Sequence, residues 1–114
     1  MQAKLINEKP ERTFALILDS GDEVVSCIER FAAEQHLTAS RLTAIGALRD
    51  VTLGYFDWER KEYHPHRYAE QLEVLSLIGD IAMDGNEPKV HAHAVLGRGD
   101  CTTLGGHLLR ATVR

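Results

Sequence analysis

The sequence predicts an α+β domain with a largely antiparallel sheet and one main helix after the first strand. Two features lead to this class: a single amphipathic helical segment follows a short apolar run, and the rest of the chain is a succession of β-rich segments separated by turn residues. The chain has 114 residues, of which 44% are hydrophobic and 26% charged. This size suits one globular core. We therefore expect a single domain over residues 1–114.

The first strand and the helix are predicted within residues 13–35. The run Thr13–Leu18 is apolar and short, which favours a strand over a helix. Ser20 and Glu23 have the spacing of a capping box at a helix start. Apolar side chains then recur at steps of three and four residues, so we expect the helix from residue 21 to about residue 35.

Three strands are predicted in the middle of the chain. Residues 42–48 and 51–56 contain β-branched and aromatic side chains and flank Arg49 and Asp50, which we interpret as the turn of a hairpin. Glu62–Tyr68 is predicted as an edge strand, because its proline lacks the N–H that a ladder on both sides requires.

The last third of the chain predicts a central strand and a hairpin. Leu72–Met83 is the most apolar stretch, and we expect a bulge or bend in it at Gly79 and Asp80. After a turn cluster at residues 84–88, Val90–Leu96 and Thr102–Val113 are predicted to pair as the last hairpin.

Charge and cysteine content argue against several classes of function. The chain has 13 Lys and Arg residues and 17 Asp and Glu residues, which gives a formal charge of −4. A negative net charge disfavours binding of nucleic acid through its phosphates. Cys27 and Cys101 form no CxxC pair, which is typical of a reducing compartment, although one long-range disulfide stays open. Residues 1–10 lack a signal-peptide run, and no segment suits a membrane span. We therefore expect a soluble cytoplasmic protein with no membrane partner.

Three histidines of the predicted last hairpin carry the strongest chemical signal. His91 and His93 are two residues apart on one strand, so they project to the same face. If the hairpin loop has three residues, His107 lies directly opposite His91 and all three imidazoles share that face. A four-residue loop turns His107 to the other face, unless Gly105 and Gly106 form a bulge that restores the phase.

Three neutral imidazoles with one open position are the ligand set of catalytic zinc, and they also bind iron, nickel or copper. The pattern predicts a site for a divalent transition metal, with zinc as the first choice. Glu73 interrupts an apolar run, and we assign it as the candidate catalytic base or fourth ligand. The competing interpretation is that His91 and His93 are two half-exposed imidazoles on a strand face and that Glu73 is solvated or paired with an arginine. His64 and His66 are predicted to be solvated.

The chain resembles the plant-and-prokaryote-conserved (PPC) domain over nearly its whole length. The segments that carry the resemblance are Leu72–Ile81, Val90–Gly97 with its HxH pair, Leu104–Leu108 with its GGH motif, and the earlier Ile45–Leu48 and Val51–Leu53.

This resemblance implies an α+β domain that assembles as a homotrimer. It also implies that His91, His93 and His107 correspond to the motif histidines of the family, which in some stand-alone members accompany a bound metal such as zinc. In plants the domain accompanies AT-hook DNA-binding segments, and stand-alone bacterial members are often named DNA-binding proteins by that analogy. An AT-hook needs a Gly-Arg-Pro core with basic neighbours, and the segment Gly97–Gly99 has neither the proline nor those neighbours.

Two classes of function stay open on the sequence alone. The first is a homotrimeric protein with a three-histidine metal site that is catalytic or binds a small-molecule ligand. The second is a DNA-binding or transcription-associated regulatory module that acts through oligomerisation.

Family members usually continue for about one strand beyond the segment that matches Leu108–Val113, so we expect that the chain lacks its last strand or tail.

Overall fold

The computed structural model describes residues 11–114. One helix precedes five strands that pair only in antiparallel fashion among the described residues: α1 (Val24–Glu34), β1 (Ala39–Asp57), β2 (Glu62–Tyr68), β3 (Leu72–Asp84), β4 (Glu87–Gly97) and β5 (Thr103–Val113). The predicted α+β class is confirmed. Residues 1–10, for which no signal peptide was expected, lie outside the described residues. Within residues 11–114, α1 is too short and too polar to cross a bilayer.

The sheet curls because β1 pairs with three other strands. Its order is β2-β1-β3-β4-β5, and β5 also pairs with β1. The first half of β1 pairs with β3, whereas the second half lies between β2 and β5. Register shifts within this strand of 19 residues accompany the change of partner. The sheet thereby has an inner face, which α1 covers, and an outer face, which is turned to solvent.

Alternate residues of the strands fill the inner face. Val51, Leu72 and Leu96 are the largest fully buried side chains. Val24 and Ile28 of α1 pack into the same cluster. Because side chains alternate along a strand, the residues between these core positions point to the outer face.

The predicted first strand, Thr13–Leu18, is not formed. These residues pair with no strand of the described chain, and Ile17 is exposed. Phe14 instead packs edge-on against Phe31 of α1, with ring centroids 5.2 Å apart. A short apolar run forms a strand only where another strand is available to pair with it. Here the run packs a side chain on the helix and pairs with no strand of the described chain.

The helix is confirmed, but its N-terminus differs from the prediction. It begins at Val24, and its N-cap is Glu23 in place of Ser20. The Glu23 carboxylate accepts hydrogen bonds from the N–H groups of Val25 (3.3 Å) and Ser26 (2.8 Å). The chain just before the cap pairs with the end of β5, and this pairing keeps it out of the helix.

The predicted hairpin at Arg49 and Asp50 is wrong, because β1 continues through both residues. A register shift between Leu48 and Asp50 lets the strand change partner without a turn. Asp50 accepts hydrogen bonds of 3.1 and 3.2 Å from the Nε of Arg67 on β2. Arg49 and Asp50, whose charges favoured a turn in the sequence, are therefore part of strand β1.

The remaining strands agree with the prediction apart from one bulge. β2 lies at the edge of the order, as Pro65 indicates, and β3 lies centrally between β1 and β4. The bulge in β3 falls between Val74 and Ser76, not at Gly79. Gly79 has a different role, since a Cβ there would lie 2.4 Å from the carbonyl oxygen of His91. Only glycine permits this close approach of β3 and β4.

Candidate metal centre

The β4–β5 hairpin determines which histidines share a face. Its ladder pairs His93 with His107 and Gly97 with Thr103, so the loop spans residues 98–102. This loop is longer than the two that the sequence analysis considered, but it keeps the parity of the three-residue loop. The shared face of the three imidazoles is confirmed, whereas the predicted partner is wrong, because His107 lies opposite His93 and not opposite His91.

His91, His93 and His107 form a compact cluster on the outer face. Their ring centroids lie 5.1, 5.2 and 5.6 Å apart, and one nitrogen from each ring lies within 4.8 Å of the others. Tetrahedral zinc with bonds of about 2.0–2.1 Å requires nitrogens about 3.4 Å apart. His91 and His93 are exposed, so their side chains have room to rotate toward this spacing.

His107 is the most enclosed of the three. Its Nδ1 is buried and has no hydrogen-bond partner, which costs free energy unless another group satisfies it. Desolvation of the ring, followed by the charges of His91 and His93, lowers the pKa of His107. These effects favour the neutral imidazole, which is the form that binds a metal.

Tyr63 of β2 covers one face of the His107 ring. The two ring centroids lie 4.4 Å apart and the planes are inclined by only 22°. The ring centroid of Phe56 lies 5.2 Å from that of Tyr63 and 5.3 Å from that of Trp58. Successive aromatic contacts therefore connect the cluster to the β1–β2 turn. No sequence pattern indicates Tyr63 as part of the site, because this contact depends on the long-range pairing of β5 with β1.

Two side chains of β3 lie beside the cluster on the outer face. The ladder places Ile78 opposite His93 and Asp80 opposite His91. Directly opposite residues have Cβ atoms about 4.5–5.5 Å apart. Asp80 is therefore a carboxylate next to the histidines. In the sequence, Asp80 follows Gly79 and is predicted to belong to a bend, so its position beside His91 appears only in the structure.

Glu73, the predicted base or fourth ligand, lies away from the cluster. It is on the outer face but pairs with Gly97, four residues along β4 from His93, which corresponds to about 13 Å. The apolar neighbours that singled out Glu73 include inner-face residues, and Glu73 occupies a solvent-facing position between them. Its assignment to this site is therefore wrong within one chain.

The other candidate residues take no part in the cluster. Cys27 is buried, Cys101 is exposed, and both are free thiols, so the long-range disulfide is not formed. His66 is exposed, as predicted. His64 is solvated only in part, since it is half-buried and its Nε2 lies 3.3 Å from the carboxylate of Asp57.

These features define a class of protein: a small α+β domain with a curled antiparallel sheet, one helix over the inner face, and a three-histidine cluster on the outer face. The family model of the Plants and Prokaryotes Conserved (PCC) domain matches residues 6–114. The chain belongs to this family, the PPC family introduced above, and the resemblance carried by its histidine motifs is confirmed.

Three solved structures show how similar the chain is to proteins of known structure. The metal-containing protein from Archaeoglobus fulgidus is 40% identical with a TM-score of 0.88, and the match covers 97% of this chain and 79% of that one. The PPC protein from Pyrococcus horikoshii is 33% identical with a TM-score of 0.83, and the match covers 84% of this chain and 67% of that one. A protein from Bacteroides thetaiotaomicron, named a "putative DNA binding protein", is 30% identical with a TM-score of 0.81, and the match covers 85% of this chain and 68% of that one. No match is found among curated proteins.

Proposed function

We propose that the protein is a metal-binding member of the PPC family, in which His91, His93 and His107 hold one divalent transition-metal ion. Zinc is the ion that we expect first. The observation that carries this proposal is the convergence of three ring nitrogens within 4.8 Å on one face. The unpartnered, buried Nδ1 of His107 supports it. The 40% identical relative is named a metal-containing protein, which supports it further.

The surroundings of the cluster fit a metal with an open position. A Cβ at Gly105 would meet only the carbonyl oxygen of Ala94, at 3.6 Å, so there is room beside the histidines for water or a small oxygen-donor ligand. When bound, the ion would polarise a carbonyl or lower the pKa of a bound water. Such a site serves catalysis or the binding of a small molecule, and Asp80, not Glu73, is the carboxylate beside it.

Metal analysis of tag-free protein tests the site. Wild type, His107→Ala and a control, His66→Ala, are purified after growth with added zinc. His66 is the control because it lies on β2 opposite Leu53 of the inner face. We expect nearly stoichiometric metal in wild type and control, and its loss in His107→Ala. Less than about a tenth of an equivalent in wild type, or equal metal in His107→Ala, contradicts the proposal.

The proposal includes a homotrimer, which the family resemblance implies. The support on the molecule itself is apolar surface on the outer face: Ile45 is 85% and Ile78 58% exposed, and both line a shallow groove formed by residues 43–45 and 75–78. Contiguous apolar surface is typical of contacts with other chains. Light scattering on the purified chain should give the mass of three chains, and the mass of one chain contradicts this part.

We also propose a cytoplasmic location. Cys27 and Cys101 are both free thiols, which is the state expected in a reducing compartment. Fractionation of the source cells should recover the protein with cytoplasmic markers. Recovery with an oxidising compartment contradicts this location.

A second candidate function is a DNA-binding or transcription-associated module that acts through oligomerisation. The name of the Bacteroides relative favours it. The charges oppose it, because the net charge is −4 and two arginines are already paired, Arg67 with Asp50 and Arg98 with Glu70. This candidate predicts a mobility shift of A·T-rich duplex that weakens as salt rises. The absence of a shift at low salt excludes direct DNA binding.

A further inference from the structure

The contact between Tyr63 and His107 crosses a glycine. Gly54 of β1 lies directly opposite His107 on one side and opposite Pro65 of β2 on the other. A Cβ at Gly54 would lie 3.0 Å from Cδ1 of Tyr63 and 3.0 Å from Cδ1 of Leu109. The Tyr63 ring therefore occupies space that a side chain at position 54 would need. This space allows Tyr63 to reach across β1 from β2 and stack on the imidazole of β5.

The stack takes the place of the usual support of a metal-binding imidazole. Such rings generally donate a hydrogen bond from the second nitrogen to a carboxylate or a backbone carbonyl, which fixes the ring orientation. Among the described residues, His107 forms no such supporting hydrogen bond: its buried Nδ1, the nitrogen available to the ion, has no partner. The nearly parallel phenol ring at 4.4 Å instead blocks rotation of the imidazole on that side. The Tyr63 ring is itself held by its edge-on contact with Phe56.

We propose that Tyr63 is a positioning residue of the histidine cluster, whose ring fixes the orientation of His107 so that its imidazole faces His91 and His93. This inference rests on the proposed metal site and extends that site from the β4–β5 hairpin to β2. It assigns the tyrosine no contact with the ion. Its hydroxyl is not required, so phenylalanine should replace it.

Metal affinity of three variants tests this role. Tyr63→Ala removes the ring, Tyr63→Phe keeps it, and Tyr55→Ala removes a nearby tyrosine that is 73% exposed and paired with His64. The dissociation constant of Co²⁺ is measured by calorimetry, and the visible spectrum of bound Co²⁺ reports the ligand geometry. We expect Tyr63→Ala to bind about tenfold more weakly with an altered spectrum, and the other two variants to stay within about twofold of wild type.

Proton NMR of the metal-free protein tests the orientation without the ion. Nuclear Overhauser contacts between the ring protons of His107 and those of His91 and His93, whose ring centroids lie 5.2 and 5.6 Å away, should be present in wild type and in Tyr63→Phe and should weaken in Tyr63→Ala. Circular dichroism verifies that each variant is folded. If Tyr63→Ala does not fold, Tyr63→Leu replaces it, because leucine keeps apolar volume at this position but has no ring to stack on His107.

The outcomes separate the two proposals. Unchanged Co²⁺ affinity, or unchanged contacts of the His107 ring with His91 and His93, in the folded variant that lacks the Tyr63 ring overturns the positioning role, as does a Tyr63→Phe variant as weak as that one. If wild type binds no Co²⁺, the metal proposal fails by itself, and the NMR comparison alone then decides whether Tyr63 orients His107.

Discussion

The two faces of β4 share one backbone but differ in what their side chains contribute. Ala92, Ala94 and Leu96 are buried in the core, whereas His91 and His93, which alternate with them, are exposed. The inner side chains exclude water and stabilise the fold, while the outer ones stay free to bind a ligand. The effect of a substitution in this strand should therefore depend on the face it occupies more than on its distance along the chain.

Substitution of neighbouring apolar residues on opposite faces should give the largest contrast. Leu96 is 0% and Val95 44% exposed. Leu96→Ala leaves a cavity in the core and should lower the free energy of unfolding by about 3 kcal/mol, whereas Val95→Ala should lower it by less than about 1 kcal/mol. Urea unfolding measures both. Equal losses would contradict the difference between the two faces, because they would mean that the outer face is packed as tightly as the inner one.

Removal of an outer histidine should affect binding and leave the fold unchanged. His93→Ala deletes one of three proposed ligands and should weaken zinc binding about 100-fold, or about 2.7 kcal/mol. In the presence of a chelator, its free energy of unfolding should stay within about 0.5 kcal/mol of wild type. Calorimetry and urea unfolding provide the two measurements. A metal-free variant as unstable as Leu96→Ala would show that the imidazole is structural.

The same contrast explains which parts of the site were accessible from the sequence. His91 and His93 could be placed on one face from their spacing alone, because the two-residue period of a strand does not depend on the rest of the fold. The residue that lies opposite His107 could not be predicted in this way, since it depends on the length of the loop, which spans residues 98–102. Glu73 was misplaced because an apolar run does not reveal which of its positions alternate into the core.

Long-range pairing accounts for the other differences from the prediction. The charges at Arg49 and Asp50 suggested a turn, but Arg67 of β2 engages Asp50 within the ladder. The stack of Tyr63 on His107 exists because β1 and β5 pair and close the curled sheet. No local pattern indicates either contact, so the element types could be predicted more fully than the neighbours they acquire.

The inner face also depends on α1, which Glu23 joins to β5. Partial burial raises the pKa of Glu23, but hydrogen bonds from the N–H groups of Ser26, Ala111 and Val25, together with the Ser26 side chain, outweigh it and hold the pKa below the ordinary 4.5. A lowered carboxyl pKa stabilises the fold above the unfolded-state value, and this stabilisation is lost as the pH falls through the folded-state value.

Glu23→Gln should therefore lower the free energy of unfolding by about 1 kcal/mol at neutral pH, a typical cost of a weakened N-cap. The difference from wild type should shrink as the pH falls from 4.5 through the lower folded-state pKa, below which the carboxylate is protonated in both states. Urea unfolding over a pH series measures it, with Glu34→Gln at the other end of α1 as the control. A difference that does not change with pH would assign the effect to packing of the side chain and not to its charge.

The smallest effect should separate two carboxylates of β3 that both lie on the outer face. Asp80 is opposite His91, whereas Glu73 is opposite Gly97. A carboxylate roughly 8 Å from a divalent cation contributes about 1 kcal/mol in a water-like dielectric before salt screening, so Asp80→Asn should weaken zinc binding about three- to fivefold. Glu73→Gln should stay within about twofold of wild type, because at about 13 Å the same interaction falls to about 0.4 kcal/mol at low salt. Calorimetry at low salt provides the measurement. The opposite result would mean that Glu73 reaches the cluster of a second chain, and the outer face would then be a contact surface of the assembly as well as a binding surface.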